Sequence, residues 1–140
     1  MNPMLTSFVL VTGDATFGIL FRHAVASIGT LDCRAVVPPA RALAAVREAT
    51  PDHVLLDLDG QSTGDVVALC RKVALVRPVQ ITVMGAHAGP VSPAAAEAMR
   101  AMCVRFLDKP ATAAGLDLGD AAAAESFGGA VARHLAPEAA

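Results

Sequence analysis

Five short apolar runs alternate with five longer segments whose apolar residues recur every three or four positions, and this alternation constrains the fold most. The runs are SFVLV (7–11), CRAVV (33–37), HVLLDL (53–58), QITVMG (80–85) and VRFLD (104–108). Each holds β-branched or aromatic residues and is bounded by Gly, Pro, Asp or Thr, as short strands are. Between them, ATFGILFRHAVASIG, PARALAAVREAT, GDVVALCRKVALVR and SPAAAEAMRAM read as helices. In the third of these, Val66, Leu69, Cys70, Val73 and Val76 share one face, with Val67 at its edge. A fifth helix is expected over about 118–135, where Gly128 and Gly129 weaken its middle. Strands separated by helices pair in parallel through right-handed crossovers. The expected fold is therefore α/β and doubly wound: one five-stranded parallel sheet, (βα)5, with helices on both faces.

Such a sheet needs a large core, and 54% hydrophobic against 17% charged residues can supply one. The 140 residues read as one domain, 1–140, with its core over about 7–110. A net charge of −2 gives no electrostatic case for nucleic acid. No apolar stretch reaches the roughly 18 residues that span a membrane, and MNPMLTSFVLVTGD lacks the charged start and small-residue cleavage site of a signal peptide. A cytoplasmic protein is expected. Cys33, Cys70 and Cys103, odd in number and widely spaced, read as reduced core residues. His23, His53 and His134 have no partners at metal-ligand spacing, so no zinc site is expected.

Open parallel sheets gather ligands at the carboxyl ends of their strands. Those ends supply Thr12, Gly13 and Asp14, then Asp57 and Asp59, then Gly85, Ala86 and His87, and finally Lys109. A carboxylate facing a lysine across a rim of backbone amides suits phosphoryl transfer: the acid attacks phosphorus and the ammonium offsets charge on the equatorial oxygens. A competing reading lies three residues away. GQSTG (60–64) fits the G-x-S-x-G elbow of a serine hydrolase, with Ser62 as nucleophile and Asp108 or Asp117 with His134 as partners. Against it, Ser62 stands four residues beyond Leu58, after a loop that can relax, whereas the elbow needs its serine at the strand-to-helix turn. No G-x-G-x-x-G follows the first strand, which argues against a dinucleotide fold.

From about Ser7 to Pro110 the chain resembles the receiver domains of two-component response regulators. PDHVLLDLD around Asp57 and MRAMCVRFLDKP ending in Lys109-Pro110 carry the resemblance. AAAEAMRAMCVRFLDKP with AGLDLGD is most similar to the receiver half of chemotaxis methylesterase regulators, and no esterase half accompanies it. The resemblance implies a flavodoxin-like strand order 2-1-3-4-5. It makes Asp57 the phosphoacceptor, Lys109 its phosphate-contacting partner in a resting salt bridge, and the bond before Pro110 a cis peptide. Gly85 and Phe106 fall at the switch positions. Implied partners are a sensor histidine kinase, a phosphotransfer protein or another signalling protein. They would dock on the first helix, where Phe17 and Phe21 share a face and one of the two rings is expected in the core, or on the face of the fourth helix, fifth strand and fifth helix, where Met99, Arg100, Met102 and Arg105 lie. A homodimer through the fourth and fifth helices is open.

Three departures weaken the chemistry that the resemblance implies. Receivers end the first strand in two adjacent acids that hold Mg²⁺; here Thr12 and Gly13 stand there, and Asp14 follows one residue late. Gly85 replaces the hydroxyl residue that ends the fourth strand, and GQSTG replaces the usual Met-Pro…Asp-Gly loop. Mg²⁺ prefers one or two carboxylates besides phosphate, so a weak site at Asp57 needs Asp14 or Asp59 to turn inward. Asp14 is as readily the cap of the helix that begins near Ala15. Two functions therefore stay open. One is a degenerate receiver acting through protein–protein interaction; the other is a working phosphoacceptor that takes a phosphoryl group on Asp57.

Overall fold

The computed structural model describes residues 5–26, 28–59, 61–85, 93–108 and 121–136. Strand β1 (Thr6–Val11) leads through α1 (Ala15–Val25) to β2 (Leu31–Val37), a 3₁₀ turn (Pro39–Arg41) and α2 (Ala42–Ala49). Then come β3 (His53–Asp57), α3 (Thr63–Val76), β4 (Gln80–Gly85), α4 (Pro93–Ala101), β5 (Arg105–Asp108) and α5 (Ala121–Leu135). All neighbouring strands are parallel, and the sheet order is β2-β1-β3-β4-β5. Strand order therefore reverses beside β1 and β3, whose carboxyl ends flank the crevice where such sheets bind ligands.

Period-two alternation divides the central strands between two cores. Val9 and Val11 of β1 pack with Val54 and Leu56 of β3 beneath α2, α3 and α4, where Val46, Val66, Val73 and Met99 join them. Phe8 and Leu10 face the other way and pack with Leu55 and Met84 against α1 and α5. Burial on both faces is what a parallel sheet requires, and each such aliphatic side chain contributes roughly 1.5–3 kcal/mol. On the second face Phe21 meets Phe8 and Phe127 edge to face, at centroid separations of 5.8 and 5.7 Å. Phe17 completes the cluster, 5.8 Å from Phe21. Both Phe17 and Phe21 are thus core, at 2% and 0% exposure, which removes both as docking residues of the first helix. Met99 is likewise wholly buried and not a contact residue.

Several boundaries differ from the sequence pattern for local reasons. Strand β2 starts at Leu31, two residues early, and its pairing with β1 slips between Phe8 and Val9 so that Arg34 is skipped. This bulge turns Arg34 outward, where its guanidinium donates to Ala49 O at 2.6 Å and Thr50 O at 3.2 Å, satisfying end carbonyls of α2. Helix α1 ends at Val25, and Leu31 N donates to Ile28 O in the turn that follows. Of the cysteines, only Cys70 is fully buried, and burial pushes its thiol up to about 11. Cys33 is half-buried and Cys103 is exposed, at a positive φ of 60° in the turn before β5, so that cysteine is not core. Gly128 has a packing role: a Cβ there would lie 2.8 Å from Ala24 O, so α5 crosses α1 at backbone contact. Among the described residues no helix is long and apolar enough to cross a membrane.

Candidate functional site

Asp57 is the last residue of β3 and is fully buried at the carboxyl edge of the sheet. A buried carboxylate must be hydrogen-bonded, and both of its oxygens are. Thr12 Oγ1 donates to Asp57 Oδ2 at 2.7 Å, and the Asp59 backbone N–H donates to Oδ1 at 3.0 Å. Thr12 is itself 5% exposed and fixed: its N–H continues the β1–β2 ladder to Val37 O at 2.9 Å, and its hydroxyl oxygen accepts from Asp14 N at 3.0 Å. The hydroxyl proton is thereby aimed at Asp57. Below the acid, Leu58 N donates to Met84 O at 2.8 Å, and Gln61 Nε2 donates to the Asp57 carbonyl at 2.6 Å. The sequence reading missed the Thr12 and Gln61 contacts. Gln61 had a signal, four residues after the acid in a turn-forming loop; Thr12 was read only as a missing acid.

Asp14 caps α1. It lies in extended backbone, and its Oδ1 accepts from Phe17 N at 3.0 Å, the bond an N-terminal cap makes to the third helical residue. Of its two sequence readings, the structure holds the cap. Asp59 is exposed and meets Asp57 through its backbone N–H. The inward turn of either acid toward Asp57, expected as the condition for a metal, is not what these contacts provide. Among the described residues no group of three His, Cys, Asp or Glu side chains could hold a metal ion. The cavity of about 400 Å³ beside Thr12 and Gly13, bounded by Gly18 and Arg22 of α1 and Val36 of β2, has no carboxylate in its lining. Among the described residues no second carboxylate joins Asp57 for Mg²⁺: Asp14 caps α1, and each Asp57 oxygen accepts a hydrogen bond, from the Thr12 hydroxyl and the Asp59 amide.

The remaining site positions divide in two. Gly85 is buried at the end of β4, paired with Asp108, and has no hydroxyl to follow a phosphoryl group. Phe106 of β5 is 45% exposed. Lys109, Pro110 and His87 lie outside the described residues, so the Asp57–Lys109 salt bridge and the cis bond at Pro110 do as well. Ser62 is spent on local structure: its Oγ accepts from Asp65 N at 3.1 Å as the cap of α3. Its supposed partner His134 is instead hydrogen-bonded to Thr82, inside β4. That arrangement makes no serine triad.

No protein-family model and no curated protein matches the sequence. Solved structures match closely in shape. The response regulator domain of Thermotoga maritima CheB superposes with a TM-score of 0.70 at 13% identity, covering 96% of this chain and 99% of that one. The isolated receiver domain of RcsB from Salmonella enterica serovar Typhimurium, solved with the phosphomimetic BeF3−, gives 0.61 at 18% identity, covering 94% and 98%. The signal receiver domain of the NarL regulator from Mycobacterium tuberculosis gives 0.59 at 20% identity, covering 91% and 98%.

Proposed function

We propose that this chain, whose fold is that of response-regulator receiver domains, works as an atypical receiver: a signalling module acting through protein–protein contact with its phosphoacceptor position held in one state. The hydrogen bond from Thr12 to Asp57 carries this reading. Where the receivers it resembles place a metal-binding acid, this chain places a donor that satisfies the acceptor carboxylate itself. Two of the hydrogen bonds that a buried carboxylate requires come to Asp57 from a hydroxyl and an amide. The lack of a hydroxyl at Gly85 points the same way, since a phosphoryl group on Asp57 would have no such group at the end of β4 to pull. Partners of the proposed class are a sensor histidine kinase, a phosphotransfer protein or another regulator. Phe106, exposed on β5, suits such a contact.

A second reading, a working phosphoacceptor, draws support from the placement of Asp57 at the switch point of the sheet. One experiment separates the two. The protein is incubated with Mg²⁺ and acetyl phosphate, and its intact mass is recorded beside that of Asp57→Ala. The proposed reading expects no phosphate adduct in either. An adduct on the wild type that is missing from Asp57→Ala would replace it with the second reading.

A further inference from the structure

At the end of the sheet opposite Asp57, two half-buried histidines stand together with an arginine. His134, in the last turn of α5, shares a 3.1 Å hydrogen bond with Thr82 Oγ1, a hydroxyl 1% exposed on β4. Arg105, the first residue of β5, donates to the His134 carbonyl at 3.0 Å, and its backbone pairs with Thr82. His53 opens β3 two residues from Leu55, which pairs with Thr82, and its Nδ1 is buried with no hydrogen-bond partner among the described residues. The tip of α5 is thus fixed to the sheet by one imidazole and one guanidinium, with a second imidazole beside them.

We propose that His134 and His53 form an acid-sensitive clasp: α5 is docked on the sheet while both rings are neutral, and its last turn loosens when they take up protons. The charges around the two rings differ. Arg105 and then His53 disfavour a proton on His134, whereas on His53 the unfavourable effect of Arg105 is outweighed by Asp52. Only Asp52, at the turn before β3, favours a cation on His53, and its carboxylate is already held by the Ser7 hydroxyl at 3.0 Å. From β4 come the uncharged Thr82 and Gln80; α1, which meets α5 through Phe21 and Ala24, carries the exposed Arg22 and His23 in its last turn, and α5 itself carries the exposed Arg133. Burial first, then Arg105, holds His134 below the ordinary imidazole range, and burial does the same to His53.

The sign follows from linkage. With folded-state values below that of a free imidazole, near 6.5, the undocked form binds more protons than the docked one. Docking is unimpaired above that pH and weakens as pH falls below it. The device is separate from the chemistry of Asp57 and goes beyond the reading given above.

Hydrogen exchange of the whole chain tests it, comparing protection in α5 (126–135) with that in β1 (6–11) between pH 7.5 and 5. Protection in α5 is expected to fall roughly threefold or more relative to β1, and the fall is expected to vanish in the double variant His53→Asn, His134→Gln. Parallel behaviour of α5 and β1 in the wild type, or a fall that persists in the double variant, would overturn the proposal. Should the variant not fold, NMR titration of the wild-type rings decides. Midpoints below that of a histidine peptide support the clasp, and midpoints at or above it overturn it.

Discussion

Thr12 and Asp57, 45 residues apart in sequence, meet across the β1–β3 pair in a 2.7 Å hydrogen bond inside the protein. The donor is neutral and the acceptor a carboxylate, so the bond should be worth about 1.5–3 kcal/mol. Thr12→Val keeps the shape and deletes the hydroxyl donor to Asp57 Oδ2. Urea unfolding should show a loss of about 2 kcal/mol with an unchanged slope. A loss below about 0.5 kcal/mol would mean that the hydroxyl is not satisfying Asp57.

Replacing the donor by an acid should reverse the logic of the site. Thr12→Asp puts a second carboxylate against a buried one, and like charges at about 4 Å in such a setting cost about 4 kcal/mol. Thermal unfolding in EDTA should therefore come well below that of the wild type. Millimolar Mg²⁺, which binds paired carboxylates, should recover about 2–3 kcal/mol in this variant if it reaches about a hundred times the dissociation constant. The wild type should not respond. A wild type stabilised by Mg²⁺ as much as Thr12→Asp would show that Thr12 does not displace the metal.

Asp14 should behave as a cap and not as a ligand. Asp14→Ala deletes the bond to Phe17 N and should cost about 1 kcal/mol, whereas Asp14→Asn, an equally good cap, should be nearly neutral. Both effects should be the same with and without Mg²⁺, as denaturant midpoints can establish.

The two adjacent glycines of α5 should part company. Gly129→Ala brings a Cβ 3.4 Å from a flexible Arg133 nitrogen, so the gain in helix propensity should show as up to about 1 kcal/mol of stability. Gly128→Ala drives a Cβ to 2.8 Å from Ala24 O and must push two helices apart, at a cost of about 1–3 kcal/mol. Melting curves of the two single variants test the difference in sign.

These cases show where the sequence is legible. Strand and helix alternation encodes the sheet directly, because a strand buried on both faces must be apolar throughout: Phe8, Val9, Leu10 and Val11 could form little else. The place of Asp57 follows from the end of such a run. Its partner does not. Residues 45 apart carry no local pattern, and a threonine at a strand end is read as a missing acid until the parallel register brings its hydroxyl to the carboxylate. Composition also misled at Cys103, which looks like core by type but occupies a tight turn at positive φ. The Gly128 crossing was hidden too, since a helix-weakening residue in sequence is a backbone contact in three dimensions.

The central claim is that Asp57, which accepts a hydrogen bond from the Thr12 hydroxyl where the receivers it resembles have a metal-binding acid, does not take up a metal ion or a phosphoryl group. The amide resonances of Thr12, Asp57, Leu58 and Asp59 report on it directly when the isotope-labelled protein is titrated with Mg²⁺ and then beryllofluoride. The expected result is no saturable shift at these four positions with either addition. A saturable shift centred on Asp57, abolished in Asp57→Ala, would contradict the account and leave a working phosphoacceptor in its place.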